Sequence, residues 1–127
     1  MQGAVHAWLA FAEKKNEEAL REMRDVADTQ DKLGKQEVDI PAREMLADML
    51  LELDKPQEAM AEYEKSMKID PNRFNGLAGA ARAAELVGRA DKANTYYGQL
   101  LKNCDDGRHS DRGELRRAKL VLAKNGL

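Results

Sequence analysis

A regular pattern of apolar and polar residues between Arg43 and Pro71 predicts two amphipathic helices joined by a tight turn. The first helix carries an apolar stripe at helical spacing, formed by Leu46, Ala47, Leu50 and Leu53. The second helix carries a similar stripe, formed by Ala59, Met60, Tyr63 and Met67. Pro56 separates the helices and the Asp70-Pro71 pair ends the second, because the residue before a proline avoids helical geometry. Two such helices form an antiparallel hairpin that needs neighbours to bury its stripes.

The same pattern recurs 34 residues further along the chain. Small and aromatic residues repeat in the pairs Ala47 and Ala81, Ala59 and Ala93, and Tyr63 and Tyr97. A helix–turn–helix unit of that period is typical of the tetratricopeptide repeat. The segment from Ile40 to Cys104 therefore resembles the tetratricopeptide repeat family, and Pro71 matches the proline that ends its repeats.

A third, less regular copy lies at the N-terminus, with an offset of 40 residues instead. Its corresponding positions are Ala7, Ala19 and Met23, which match Ala47, Ala59 and Tyr63. We expect a helix over Gly3–Glu13, and a second helix that Asn16 caps. The extra residues fall between Asp28 and Ile40, where the second helix overruns before a polar loop around Gly34.

The C-terminal half predicts three further helices. Asn72 is expected to cap a helix over Arg73–Val87, and the next helix runs over Ala90–Asn103. After a polar loop, Asp111 and Glu114 have the spacing of a capping box, which begins a last helix. The predicted fold is all-α: a tetratricopeptide-like, right-handed superhelix in one domain. Its parts are a degenerate hairpin at 1–39, repeats at 40–73 and 74–107, and a capping helix at 110–126.

The run from Pro41 to Leu101 also looks like the C-terminal region of a set of uncharacterised bacterial tetratricopeptide proteins. That resemblance implies a bacterial origin, no established activity, and relatives that are longer and exported. The N-terminus lacks the basic residues that precede a signal peptide, so the chain by itself is expected to be cytoplasmic, and to be exported if it is a fragment of a longer protein.

Resemblance to the family also implies a binding groove, lined by the first helix of each hairpin. The corresponding positions are Trp8, Phe11, Glu44, Asp48, Leu51, Glu52, Asn75, Ala78, Arg82 and Glu85. We expect a peptide or protein segment there, with Trp8 and Phe11 as apolar anchors and the acids facing basic groups. The alternative is that these charges are only solvated and that Trp8 closes the end of the stack. Tyr63 and Tyr97 are expected to pack between helices, whereas Tyr96 is expected to point elsewhere and be exposed.

Composition argues against other classes of function. The net charge of −2 gives no general attraction to nucleic acid, although the last helix is locally basic. No apolar run is long enough to cross a bilayer. The single cysteine excludes a disulfide within the chain.

Catalytic chemistry has little support in the sequence. His6 lacks carboxylates at metal-ligand spacing, and no phosphate-binding glycine loop or nucleophilic triad is present. The polar residues of the 104–111 loop are types that bind zinc, but their spacing fits no closed site: Cys104, Asp105, Asp106, His109 and Asp111. We therefore expect a protein-binding scaffold or adaptor that is no enzyme and uses no cofactor or metal. A homodimer through exposed helix faces is the alternative, and a metal-binding loop a distant third.

Overall fold

A computed structural model describes residues 2–33, 41–104 and 113–124 of the chain. These residues form seven α-helices and contain no β-strand. The helices are α1 (Gln2–Ala12), α2 (Asn16–Leu33), α3 (Ala42–Glu52), α4 (Pro56–Met67), α5 (Phe74–Leu86), α6 (Ala90–Asn103) and α7 (Gly113–Lys124). Each helix packs against the next, and α3 also contacts α5. The fold is thus the predicted all-α, tetratricopeptide-like stack of three hairpins closed by a last helix.

The three hairpin turns share one backbone geometry. Each contains a residue in the left-handed region, namely Lys14 (φ 65°), Asp54 (φ 61°) and Gly88 (φ 79°). The amide of the following residue closes each turn on a carbonyl five positions back, as in Arg89 N–H to Ala84 O at 2.8 Å. Only Gly88 adopts this conformation without steric cost. The turns recur at the same offsets as the side-chain pattern, so backbone and sequence repeat together.

Small side chains form the contacts between helices. Ala47, Ala59, Ala81 and Ala93 are at most 1% exposed. Tyr63 and Tyr97 are buried beside them, as predicted. A Cβ atom on Gly79 would lie 2.3 Å from the ring of Tyr63, so α5 approaches α4 closely only because this position is glycine. Short residues therefore set the distance between neighbouring hairpins.

The helix ends differ slightly from the predicted ones. α1 begins and ends one residue early, and α5 is one residue shorter at each end than predicted. Arg73, instead of Asn72, occupies the N-cap position of α5, and it makes no side-chain capping bond. The Asn72 side chain accepts a hydrogen bond from Asn103 Nδ2 at 3.3 Å instead, which links it to α6. The predicted loop around Gly34 and the capping residue Asp111 lie outside the described residues.

The long α2 joins the first hairpin to the second. Its last turns extend past the length of α4 and α6, and they carry Asp28, Gln30 and Asp31 to the start of α3. The Gln30 side chain accepts a hydrogen bond from the Ala42 amide at 2.9 Å, which satisfies one free donor of the α3 N-terminus. The extra residues that lengthen the N-terminal offset thus hold the two hairpins together.

Arg43 is the centre of this junction. Its side chain is only 7% exposed and forms ion pairs with Asp28 at 2.6 Å, Asp31 at 2.9 Å and Glu62 at 2.6 Å. Arg24 of α2 also reaches Glu62, at 3.1 Å. Burial alone would lower the pKa of Arg43, but hydrogen bonds to the three carboxylates outweigh it and raise that pKa. Three helices therefore meet on one buried guanidinium.

Replacing Arg43 with alanine is expected to lower the free energy of unfolding by about 3 kcal/mol, because Glu62 would stay buried without its shortest ion pair. Urea unfolding followed by circular dichroism measures the change. Arg89→Ala is the matched control, since the Arg89–Asp91 pair is exposed on both sides and contributes little. A loss no greater than that of the control would contradict the proposed importance of Arg43.

Candidate binding groove

One open hollow of about 340 Å³ is lined by the first helix of every hairpin and by α7. We call it the groove. Its lining residues are Trp8 of α1; Asp48, Leu51 and Glu52 of α3; Tyr63 of α4; Asn75, Ala78, Gly79 and Arg82 of α5; and Glu114 of α7. Since first helices stack side by side, residues far apart in sequence share this one surface.

Seven of the ten positions predicted for the groove line this hollow: Trp8, Asp48, Leu51, Glu52, Asn75, Ala78 and Arg82. The structure places the other three elsewhere. Glu44 is only 1% exposed and is bonded to Arg73, so it lies inside the stack. Phe11 packs edge-on against Trp8, with ring centroids 5.5 Å apart. Glu85 is turned towards α6 and α7, where Tyr97 and Arg117 bind it.

Trp8 is held in place at the N-terminal side of the groove. Its indole Nε1–H donates to the sulfur of Met45 at 3.2 Å, and Phe11 supports the ring from within α1. The side chain remains half-buried. An aromatic ring with a fixed position and partial exposure offers contact area at low cost in conformational entropy.

Asp48 lies at the centre of the groove, on the middle turn of α3. It accepts hydrogen bonds from the Tyr63 hydroxyl and, through both oxygens, from Asn75 Nδ2 at 3.3 Å. Burial raises the pKa of Asp48; the nearby charges of Glu44 and Glu52 add to this effect, and the two hydrogen bonds oppose it. Burial and the Asp48 charge in turn raise the pKa of Tyr63. The Tyr63 hydroxyl therefore stays protonated and donates to the Asp48 side chain.

Glu85 lies in an environment similar to that of Asp48, but its pKa shifts in the opposite direction. It accepts a hydrogen bond from the Tyr97 hydroxyl, as Asp48 does from Tyr63, but it also binds Arg117 of α7. Burial alone would raise the pKa of Glu85, yet the bonds from Arg117 and Tyr97 outweigh it and lower that pKa. The two pKa shifts differ in direction because Glu85 is bound by Arg117, whereas Asp48 has no arginine bound to it among the described residues.

Several features were not expected from the sequence. Tyr63, Gly79 and Glu114 border the groove, and only the 34-residue pairing of Tyr63 placed it near this layer. Tyr96 was expected to be exposed, but it is half-buried and donates to Glu64 of α4. Helical spacing predicts neither the groove positions of these three residues nor the bond of Tyr96, because both depend on contacts between different helices.

Other hollows fit a binding role less well. A larger one, of about 570 Å³, lies between the end of α5, the start of α6 and α7. Its apolar walls are mainly short side chains, and its acid, Glu85, is already bound by Arg117. A third hollow is bordered by His6, Glu22 and Asp25. We favour the groove because it alone among these hollows is lined by a tryptophan, whose ring is partly exposed.

The described part of the chain has neither a metal-binding cluster nor a membrane-spanning helix. No group of three or more His, Cys, Asp or Glu residues there is placed to hold a metal ion. Cys104 is a half-buried free thiol, and the rest of the predicted metal loop lies outside the described residues: Asp105, Asp106, His109 and Asp111. No helix among the described residues is long and apolar enough to span a bilayer.

Asp48→Asn and Glu85→Gln are expected to change stability with opposite dependence on pH. An acid whose pKa folding raises stabilises the fold below its ordinary pKa of 3.8, and this contribution is lost as pH rises through the raised value. For Glu85 the pKa is lowered, so its contribution is present above 4.5 and is lost as pH falls. At neutral pH, Asp48→Asn should therefore cause its smallest loss in the free energy of unfolding, whereas Glu85→Gln should cause its largest.

Urea unfolding of both variants and the unaltered chain at about pH 7 and about pH 3 measures these differences. If both variants lose stability in parallel on moving between the two conditions, the assignment of opposite pKa shifts is wrong.

No protein-family model matches this chain, and no curated protein matches its sequence. Among solved structures, the crystal structure of PcrH from Pseudomonas aeruginosa is similar, with a TM-score of 0.73. The two sequences are 14% identical, and the alignment covers 99% of this chain and 90% of PcrH. At this level of identity, the likeness shows that the two proteins share the all-helical, tetratricopeptide-like fold.

Proposed function

We propose that this chain is a tetratricopeptide protein that binds an extended segment of a partner protein in the groove and catalyses no reaction. The observation that carries the proposal is the position of its one tryptophan. Trp8 is half-buried at the edge of a hollow to which every first helix contributes. Partly exposed tryptophans in concave sites are common centres of binding energy.

The lining of the groove suits a short extended segment. Its residues belong to α1, α3, α4, α5 and α7, so a segment laid across it would contact several helices at once. Leu51 and Ala78 supply apolar surface along the way, and Asn75 supplies a polar side chain.

The chemistry of the lining supports binding rather than catalysis. Neither histidine nor cysteine lines the groove. Tyr63 supplies the one hydroxyl group among the lining residues, and its raised pKa keeps it protonated and a weak nucleophile. Its hydrogen bond to Asp48 is a structural link between α3 and α4.

Trp8→Ala should weaken binding of octapeptides selected on the full chain by at least about tenfold, because it removes the main aromatic contact. Isothermal calorimetry measures the affinity. Leu86→Ala is the matched control: Leu86 is 47% exposed on α5 but lies outside the groove, so its loss should leave the affinity unchanged.

Thermal unfolding shows whether Trp8→Ala still folds, and Trp8→Leu retains apolar volume against Met45 should the alanine variant not fold. Equal affinity of the unaltered chain and a folded Trp8 variant would remove the groove from the proposed function.

Self-association through α1 is a second candidate, favoured by its exposed apolar face. Val5 and Leu9, one turn apart, are 57% and 55% exposed, and α1 carries no Asp, Glu, Lys or Arg. If two copies pair there, Leu9→Asp should convert a dimer into a monomer, since each buried charge would lack a partner. Sedimentation equilibrium of both proteins tests this; a monomer of the unaltered chain at all concentrations would exclude it.

A further inference from the structure

Three carboxylates between the helices of the stack are each paired with an arginine. Glu44 binds Arg73 at 3.0 Å, Glu62 binds Arg43 at 2.6 Å, and Glu85 binds Arg117. Asp48 is half-buried in the groove, and it forms no ion pair within 4.0 Å in the described part of the chain; Tyr63 and Asn75 are its hydrogen-bond donors there. A carboxylate that is partly shielded from water is stabilised by a cationic partner, and no described cation lies within ion-pair distance of Asp48.

The remaining charges of the groove do not supply that cation. Glu52 and Glu114 line it beside Asp48, so its three acids face one base, Arg82. Arg82 is directed towards Glu85, at 3.7 Å. Neither Glu52 nor Glu114 forms an ion pair within the described residues. The groove therefore has a negative charge that a bound segment can neutralise.

Asp48 is also held ready to accept further hydrogen bonds. The Tyr63 hydroxyl and the Asn75 amide fix it from two other helices. A carboxylate has about four lone-pair positions, so acceptor capacity remains for an incoming guanidinium or ammonium group. An acceptor that is already oriented gains more from a charged donor than a mobile one does.

Resting on the function proposed above, we propose that the groove selects partner segments in which an arginine or lysine lies close to an apolar residue. The basic group binds Asp48, with Glu52 beside it, and the apolar residue packs on Trp8 and Leu51. Charge complementarity identifies this occupant: an acidic segment would face three carboxylates, which like-charge repulsion disfavours.

A positional-scanning library of N-acetylated octapeptide amides provides the probe, because blocked ends remove terminal charges. Trp8 is the only tryptophan, so its fluorescence reports binding to the full chain directly. Pools with arginine or lysine at one position should produce the largest change. In the best single peptide, replacing that arginine or lysine with its uncharged counterpart, citrulline or norleucine, should weaken binding to the unaltered chain about tenfold.

The same pair of peptides should differ by less than about threefold on Asp48→Asn, because the charged acceptor is gone. Glu52→Gln provides a second variant should Asp48→Asn not fold. Glu58→Gln, at an exposed position of α4 outside the groove, is the matched control and should retain the full tenfold difference.

The outcomes distinguish a failure of the selectivity for basic segments from a failure of the proposed function, which is binding of a partner segment in the groove. Strongest binding by acidic or uncharged pools, or an equal effect of the charge removal on Asp48→Asn and the unaltered chain, overturns the selectivity for basic segments alone. If calorimetry shows that octapeptides bind Trp8→Ala as tightly as the unaltered chain, both the selectivity for basic segments and the proposed function are overturned. The absence of binding by every pool has the same consequence.

Discussion

The junction at Arg43 determines whether the N-terminal hairpin belongs to the same stack as the two regular repeats. A buried guanidinium with carboxylates from α2 and α4 around it fixes the orientation of the first hairpin. Only in that orientation does α1 stand beside α3, with Trp8 against Met45. The groove therefore depends on an ion cluster whose residues do not line it.

Ion pairs at contacts between helices often add little net stability, and in some proteins they contribute conformational specificity instead. In this chain, ion pairs link each hairpin to the element that follows it: Arg43 with Asp28 and Asp31, Arg73 with Glu44, and Arg117 with Glu85. Alanine contacts alone would allow helices to slide past one another, because short side chains interlock little. The arginines define the register of the stack, whereas Asp48 in the groove accepts hydrogen bonds from Tyr63 and Asn75 and has no arginine in ion-pair contact among the described residues.

Much of the fold could be predicted because it repeats. The periods of Ala47, Ala59 and Tyr63 indicated hairpins, and the offset of the N-terminal copy located the overrun of α2. The position of single side chains was less predictable. Glu44 and Asp48 lie on one face of the same helix, yet Glu44 is buried by Arg73, whose distance in sequence is too great for a local rule to detect. Which acid faces the groove depended on a contact between helices.

The hydroxyl bonds within the hairpins have a consequence for how the molecule responds to cold. Tyr63 and Tyr97 tie the two helices of their hairpins through Asp48 and Glu85, whereas Met23 occupies the equivalent buried position in the first hairpin. Among the described side chains, α1 and α2 share no hydrogen bond, so α1 is held mainly by apolar contacts and by the bond from Trp8 to Met45. Apolar cohesion weakens on cooling. We therefore expect the wall of the groove that carries Trp8 to loosen before the rest of the stack as temperature falls.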